Sequence, residues 1–451
     1  MNKNFEIDKQ TLNDLNILGK YKNNSIYSLF CDTTTHGGEL LLEQMFNHPL
    51  TNAEEINKRS AVFKCFSDHT STFPENHENF EIVEQYLTGS NGGGHWVNSF
   101  FRLCKLEAMK LLSNDPRLHI WQEQVSITLA FLKKASTYLE TLPEVVKGTS
   151  LEERVTYGIT LLRNGQMRRL LSVDANENMN LKDLFILDKV LSYSLNDSLL
   201  KLLELFYELD VAIVVGRVAK ERKFCFATAY ADHEVSVNIC GLFHPHIPGA
   251  ISNDLEITRN KNIFFLTGAN MAGKSTLMKS FGIAVYMAHM GFPIAAKNMQ
   301  FTVQDGMYTS INVPDNINMG YSHFYAEVLR VKKVAIEVSL SKRLVVIFDE
   351  LFKGTNVKDA YDATLAVTAA LAKRRTCSFM ISTHIIEVGQ DLAKSCNNVS
   401  FSYLPTIMKE KVPTYTYRLE TGITNDKHGM IIIENEHIVD IIRRRKQPQK
   451  K

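Results

Sequence analysis

The chain has 451 residues, about three times the length of a common domain, which excludes a disulfide-stapled miniprotein and points to two or three domains with real cores. With 45% hydrophobic and 22% charged residues, and only 23 glycines and 11 prolines, the composition excludes a disordered or fibrous protein. Lys and Arg number 51 against 49 Asp and Glu, a formal +2, so any attraction for nucleic acid must come from local patches rather than a global field.

The first residues, MNKNFEIDKQTLNDLN, lack the apolar core of a signal peptide, and nowhere is there an uncharged apolar run of about 18 residues. The expectation is a soluble, intracellular, cytoplasmic protein with no membrane partner. Seven cysteines, Cys31, Cys65, Cys104, Cys225, Cys240, Cys377 and Cys396, are odd in number and contain no C-x-x-C pair, so reduced thiols are expected.

From Leu12 to Arg222 apolar residues recur at intervals of three and four, the texture of helices. CDTTTHGG at Cys31 to Gly38 predicts a turn, with Asp32 or one of the threonines capping the helix that follows. TGSNGGG at Thr88 to Gly94 predicts a loop, since three successive glycines raise the entropic cost of any regular element. Leu195, Leu199, Leu202, Phe206, Leu209 and Ile213 hold one face of a long helix, which must pack on a partner element. After Arg222 come short β-rich pieces such as EVSVNIC at Glu234 to Cys240, then apolar runs alternating with helices. That alternation predicts a mostly parallel sheet with crossover helices. The division is therefore an all-α domain over 1–222, an α/β domain over 223–442, and a basic tail over 443–451 with six cationic side chains.

NIFFLT, at Asn262 to Thr267, reads as an apolar strand, and it runs into Gly268-Ala269-Asn270-Met271-Ala272-Gly273-Lys274-Ser275 and then a helical pattern. This is G-x-x-x-x-G-K-S in strand-loop-helix context, a phosphate-binding loop. The glycines let successive backbone N–H groups point at a phosphate, aided by the helix N-terminus. Lys274 is placed to reach the β- and γ-phosphates, and Ser275 to offer its hydroxyl to Mg²⁺.

LVVIF at Leu344 to Phe348 predicts a strand buried on both faces, and it ends in Asp349 and Glu350. Two carboxylates there are costly to desolvate without a cation or a positioned water. Asp349 suits the Mg²⁺ shell, and Glu350 suits orienting or deprotonating the attacking water. A third run, CSFMIST at Cys377 to Thr383, ends at His384, where an imidazole can sense the γ-phosphate from a strand end.

Together these motifs resemble the MutS family of mismatch-repair ATPases, in the ABC-type branch of P-loop proteins. The resemblance covers nearly the whole chain and is most specific at TGANMAGKSTLMKS, Thr267 to Ser280, and continues to GFPIAA at Gly291 to Ala296. MGYSHFYAE at Met319 to Glu327 is similar to the ABC signature loop of that family, with Ser322, Phe324 and Glu327 at matching positions. DELFKGTN at Asp349 to Asn356 resembles the Walker B and D-loop segment, and STH at Ser382 to His384 the switch histidine. More weakly, Ser25 to Ile56 is similar to the start of the helical core domain, and FYELDVAIVVGRVA at Phe206 to Ala219 to the lever helix.

The resemblance implies an α/β P-loop ATPase domain of ABC type preceded by an all-α core and lever. Gly268 to Ser275 together with Thr276 would bind ATP, Ser275 and Asp349 would hold Mg²⁺, and Glu350 and His384 would serve hydrolysis. Ser322 would cap the γ-phosphate held by a second subunit, most simply in a homodimer. Because the core resemblance begins almost at residue 1, the mismatch-probing and connector domains are expected to be absent. Phe73-Pro74-Glu75 and Phe206-Tyr207-Glu208 fit the bare wedge pattern Phe-x-Glu, but nothing of the wedge's role is carried over to them. Met319 and His323 stand where the family usually has Ser and Thr, and Phe352 replaces a glycine.

For DNA the candidates are Arg163, Arg168 and Arg169, then Lys373, Arg374 and Arg375, and the basic tail, each of which a solvated face also explains. The function implied is an ATP-gated dimer acting on mismatched, branched or damaged DNA. The alternatives are a MutS-like dimeric ATPase serving as a protein-interaction switch without DNA recognition, and a nucleotide-binding scaffold with little turnover.

Overall fold

The structure, a computed structural model, describes residues 4–19, 24–89, 116–173, 181–269, 271–311, 323–409, 412–424, 437 and 441–442. Cys104, Asn270, Ser322, most of the glycine-rich 88–94 stretch and the basic tail lie outside them. The chain forms two units, one of Leu29–Asn47 and Lys58–Arg222, the other of Met1–Ser28, His48–Asn57 and Lys223–Lys451.

The described residues of the first unit contain helices and no strand, among them His36–Asn47, His77–Gly89, Pro116–Glu140, Glu152–Arg163 and Asn196–Arg222. All six members of the expected stripe, from Leu195 to Ile213, are buried. Val211 to Gly216 are buried without interruption, so this stretch of the helix is enclosed on every side, and exposure returns at Arg217 and over the final turn. Phe206 is the centre of an edge-on aromatic cluster with Phe73 at 5.9 Å and Phe131 at 5.0 Å. Phe73 and Glu75, which fitted the bare wedge pattern, are thus packing residues, Glu75 being paired with Lys134 at 2.8 Å. Of the possible caps at Cys31 to Gly38, Thr35 is the one used: its Oγ1 accepts from the Gly38 N–H at 2.9 Å. Buried Asp210 on the long helix accepts from the backbone of Thr34 and Thr35, and Asp32 instead pairs with Arg217.

The strands of the second unit are, in chain order, β1 (Glu6–Ile7), β2 (Cys225–Phe226), β3 (Thr228–Tyr230), β4 (Val235–Leu242), β5 (Asn253–Thr258), β6 (Ile263–Gly268), β7 (Pro293–Ile294) and β8 (Asn298–Thr302). There follow β9 (Gly306–Ser310), β10 (Leu344–Asp349), β11 (Ser378–Ser382), β12 (Val399–Leu404), β13 (Thr406–Lys409), β14 (Val412–Tyr415) and β15 (Glu420–Thr421). Seven of them form the main sheet, in the order β1-β9-β10-β11-β6-β12-β15. Every pairing in it is parallel except β12 with β15. Helices Lys274–His289, His323–Ser339, Val357–Ala372 and Ile386–Ser395 connect these strands, which is why runs such as IFFLTG are buried on both faces. A smaller sheet runs β3-β8-β4-β5.

Residues 1–28 and 48–57, which a division at residue 222 leaves with the helical segment, pack in this second unit. β1 pairs with β9, and the Leu50 N–H donates to the His289 carbonyl at 2.8 Å. The central register aligns Asp349 with Ser382 and Ser382 with Leu266, so the carboxyl ends of β6, β11 and β10 lie side by side. Open parallel sheets gather their ligand-binding groups at such an edge.

Candidate functional site

Two glycines shape the loop after β6. Gly268 takes φ +146°, and a Cβ there would lie 3.2 Å from the Leu404 carbonyl oxygen. Gly273 takes φ +100° immediately before the helix at Lys274, and its Cβ would lie 3.0 Å from the Tyr417 ring. Any other residue at either place would carry both strain and a close contact. Between them the Ala272 N–H donates to the Ala269 carbonyl at 3.2 Å, while Met271, at φ +72°, stands 78% exposed.

Lys274 is buried, and its ammonium donates to the carbonyls of Gly268 at 2.9 Å and Ala269 at 3.1 Å. Burial lowers its pKa, opposed by the carboxylates of Glu350 and Asp349. The hydroxyls of Ser275 and Ser382 donate to the two oxygens of Asp349, one to each. Ser382 Oγ also accepts from the Glu350 N–H at 3.2 Å. Glu350 sits at φ +54°, a left-handed conformation that costs a non-glycine residue about 1–3 kcal/mol and turns its carboxylate out of the strand line. Its Oε1 lies 3.7 Å from Lys274 Nζ and 3.7 Å from His384 Nδ1. His384 does most to hold the Glu350 carboxyl below its ordinary value; partial burial opposes, and Lys274 adds to the lowering.

The donor set fits Mg²⁺. A serine hydroxyl and a carboxylate are hard oxygen ligands, and Mg²⁺ takes only one or two protein groups, filling its shell with water and phosphate oxygens. Among the described residues no three His, Cys, Asp or Glu side chains gather as a metal cage.

Of the residues expected from sequence, Gly268, Ala269, Met271, Ala272, Gly273, Lys274, Ser275, Asp349, Glu350 and His384 lie together at the ends of β6, β10 and β11. Thr276 instead borders a neighbouring cavity, and Asn270 and Ser322 lie outside the described residues. That cavity, of about 440 Å³, was not foreseen. Phe243, His244, Ile247, Leu404 and Tyr417 line it beside Gly273 and Thr276. Burial first, then the nearby His246 and Lys279, pull the His244 pKa down to about 4, so the ring is neutral near pH 7. The signal available was the aromatic and histidine-rich FHPHIP, just upstream of β5, but its partner Tyr417 is 174 residues further on from Phe243 (417 less 243).

Among the basic candidates, Arg163 is tied to Glu140 at 2.8 Å and Arg375 donates to the Asn260 carbonyl, whereas Arg168, Arg169, Lys373 and Arg374 are exposed. The six cysteines among the described residues form no disulfide with one another. No described helix is long and apolar enough to cross a membrane.

The second unit is thus an α/β domain whose mostly parallel sheet carries a glycine-shaped loop, a buried lysine and paired carboxylates at its carboxyl edge. Residues 264–450 match the family model MutS domain V. The chain is 27% identical over 195 residues to the DNA mismatch repair protein MutS of Streptococcus gordonii, covering 43% of this chain and 23% of that one. The DNA mismatch repair protein MutS of Petrotoga mobilis is 25% identical over 309 residues, 67% of this chain and 37% of its own. The DNA mismatch repair protein spellchecker 1 of Drosophila melanogaster is 28% identical over 194 residues, 42% and 21% of the two chains. The match thus spans well under half the length of each of these curated relatives.

Proposed function

We propose that the sheet unit binds ATP with Mg²⁺ and hydrolyses it, and that the chain works as an ATP-gated, dimeric, MutS-type protein on DNA in mismatch repair or damage sensing. The observation that carries this reading is the convergence of Lys274, Asp349 and Glu350 at one sheet edge, beside a loop whose glycines admit no side chain.

In this reading the backbone of residues 268–273 and the helix N-terminus receive the triphosphate, and Lys274 exchanges its two carbonyl partners for phosphate oxygens. Ser275 and Asp349 hold Mg²⁺, which when bound neutralises charge developing on the phosphates. Glu350 orients a water and takes its proton as the water oxygen bonds to the γ-phosphorus; the bond to the bridging oxygen breaks, leaving ADP and phosphate. His384 keeps Glu350 ionised for that task. The neighbouring cavity, with the ring faces of Phe243 and Tyr417, takes the base. The sheet unit is the ATPase part, the helical unit of Leu29–Asn47 and Lys58–Arg222 supplies core and lever, and Ser322 of a second copy completes the site. Closure of two copies around ATP is then linked to DNA held through exposed cations such as Arg168, Arg169, Lys373 and Arg374.

The test compares the full chain with Glu350→Gln. The wild type should bind magnesium ATP and turn it over, and the variant should bind equally well with turnover reduced about 10²- to 10³-fold. Filter binding to homoduplex, mismatched and branched DNA, with and without ATP and at two salt concentrations, reads the DNA half of the proposal. A wild type without affinity for magnesium nucleotide removes the ATPase reading, and salt-independent or absent DNA binding removes the other.

A further inference from the structure

The N-terminal segment is joined to the sheet unit by features with no role in holding a nucleotide. β1 adds a parallel strand at the sheet edge, and Gly306 on β9 permits it: a Cβ there would lie 2.4 Å from the Glu6 carbonyl oxygen. Asp8 then caps the helix Lys9–Asp14, accepting from the Thr11 N–H at 3.0 Å. The same carboxylate pairs with Arg330, which is 6% exposed, and with Lys333 at 2.8 Å. Arg330 Nε donates in addition to the Thr309 carbonyl on β9 at 3.0 Å. Glu6 reaches Lys342, which also holds Glu337 at 2.8 Å. Arg330, Lys333 and Glu337 are all on the helix His323–Ser339, so residues 6–8 grip that helix at two places along its length.

The opposite end of the helix meets the turn that carries Glu350. Glu327, 4% exposed, accepts from the Gly354 N–H at 3.4 Å, and the ring of Phe324 lies 6.2 Å from that of Phe352. A helix is stiff over a few turns, so a displacement at Arg330 reaches Phe324 and Glu327 within two turns.

We propose that Asp8, through Arg330, is a positioning residue: it fixes the helix His323–Ser339 and thereby the 350–354 turn, so that Glu350 is held ready for hydrolysis without any part of the N-terminal segment touching nucleotide. This inference rests on the ATPase reading for its catalytic consequence, but the mechanical coupling has its own readout. Asp8→Asn keeps a side-chain acceptor for the helix cap and removes the charge that holds Arg330 and Lys333.

The experiment uses the full chain. Amide hydrogen exchange should rise at least fivefold in residues 323–330 and 350–354 of Asp8→Asn, and remain within twofold of wild type in residues 263–268. Steady-state kinetics should show kcat for ATP lowered about five- to tenfold, with KM and magnesium-nucleotide affinity unchanged. Lys342→Gln, at a more exposed member of the second grip, should give the same pattern more weakly and serves if Asp8→Asn fails to fold. Unchanged exchange in residues 350–354 overturns the proposal, as does a variant that is only less heat-stable with kcat intact. If the wild type does not hydrolyse ATP, the ATPase reading fails separately and the exchange data alone decide the coupling.

Discussion

The hydroxyl of Ser275 donates to one carboxylate oxygen of Asp349, joining the first turn of a helix to the end of a strand 74 residues later in the chain. Ser382 occupies the other oxygen, so Asp349 is aimed before any cation arrives. Removing the Ser275 hydroxyl should therefore weaken the cation far more than the fold. Ser275→Ala is expected to raise the Mg²⁺ concentration needed for nucleotide binding about tenfold, a difference of about 1.4 kcal/mol, with melting unchanged because residue 275 is exposed. Titration of a fluorescent ATP analogue against Mg²⁺ checks this; an identical Mg²⁺ requirement in the variant rejects the assignment.

His384 and Glu350 give a prediction in pH. A general base works only when ionised, and the Glu350 carboxyl is held below its ordinary value of 4.5, mainly by His384. The acid limb of kcat/KM set by Glu350 should accordingly lie below that value in the wild type. In His384→Ala the limb should move to higher pH, since burial, which opposes ionisation, loses its strongest counterweight. Superimposable pH profiles for the two proteins would mean that His384 does not act on Glu350.

The parallel sheet and its carboxyl edge were legible because three of its strands are short apolar runs, one leading into the glycine loop at Gly268 and two into groups that are costly to bury, Asp349 and His384. The long stripe through Phe206 was equally plain, since periodic burial leaves a periodic sequence. The N-terminal strand was not: Glu6–Ile7 is two residues long, and its place is set by the absence of a side chain at Gly306, 300 residues away (306 less 6). The cavity beside the loop escaped for a related reason, being built from Phe243, Thr276 and Tyr417, which no local pattern connects. Tyr417 and Glu350 also take left-handed conformations that are uncommon for such residues and that tertiary packing, not local preference, imposes.

His289 gives the sheet unit a pH-dependent stability. The ring is fully buried; its Nδ1–H donates to the Leu50 carbonyl at 2.9 Å, and Nε2 accepts from the Gln304 N–H at 3.3 Å. Burial pulls its pKa from 6.5 down to about 4, against the opposing bond to Leu50. The unfolded chain thus takes up a proton that the folded one refuses, so the contribution is complete above pH 6.5 and is lost as the pH falls toward 4. The loss amounts to about 3 kcal/mol. Urea unfolding of wild type and His289→Gln at several pH values checks it: the variant should be less stable at pH 7, and the gap should narrow toward pH 4. A gap independent of pH would assign His289 a packing role alone.

Phe352 stands at a position where the MutS resemblance leads one to expect glycine, and its backbone explains why: it takes φ +62°. The side chain is 4% exposed and packs in the core under Phe324, so burial holds the residue in a conformation its Cβ disfavours. Truncation to alanine keeps that strain and loses the ring, at a cost of about 3–5 kcal/mol. Truncation to glycine loses the same ring but relieves about 1 kcal/mol of left-handed strain. Phe352→Gly should therefore be less destabilising than Phe352→Ala, the reverse of the order found where φ is negative. Denaturant midpoints of the two variants decide it, and an alanine variant more stable than the glycine one would show that the turn does not keep its left-handed geometry once the ring is gone.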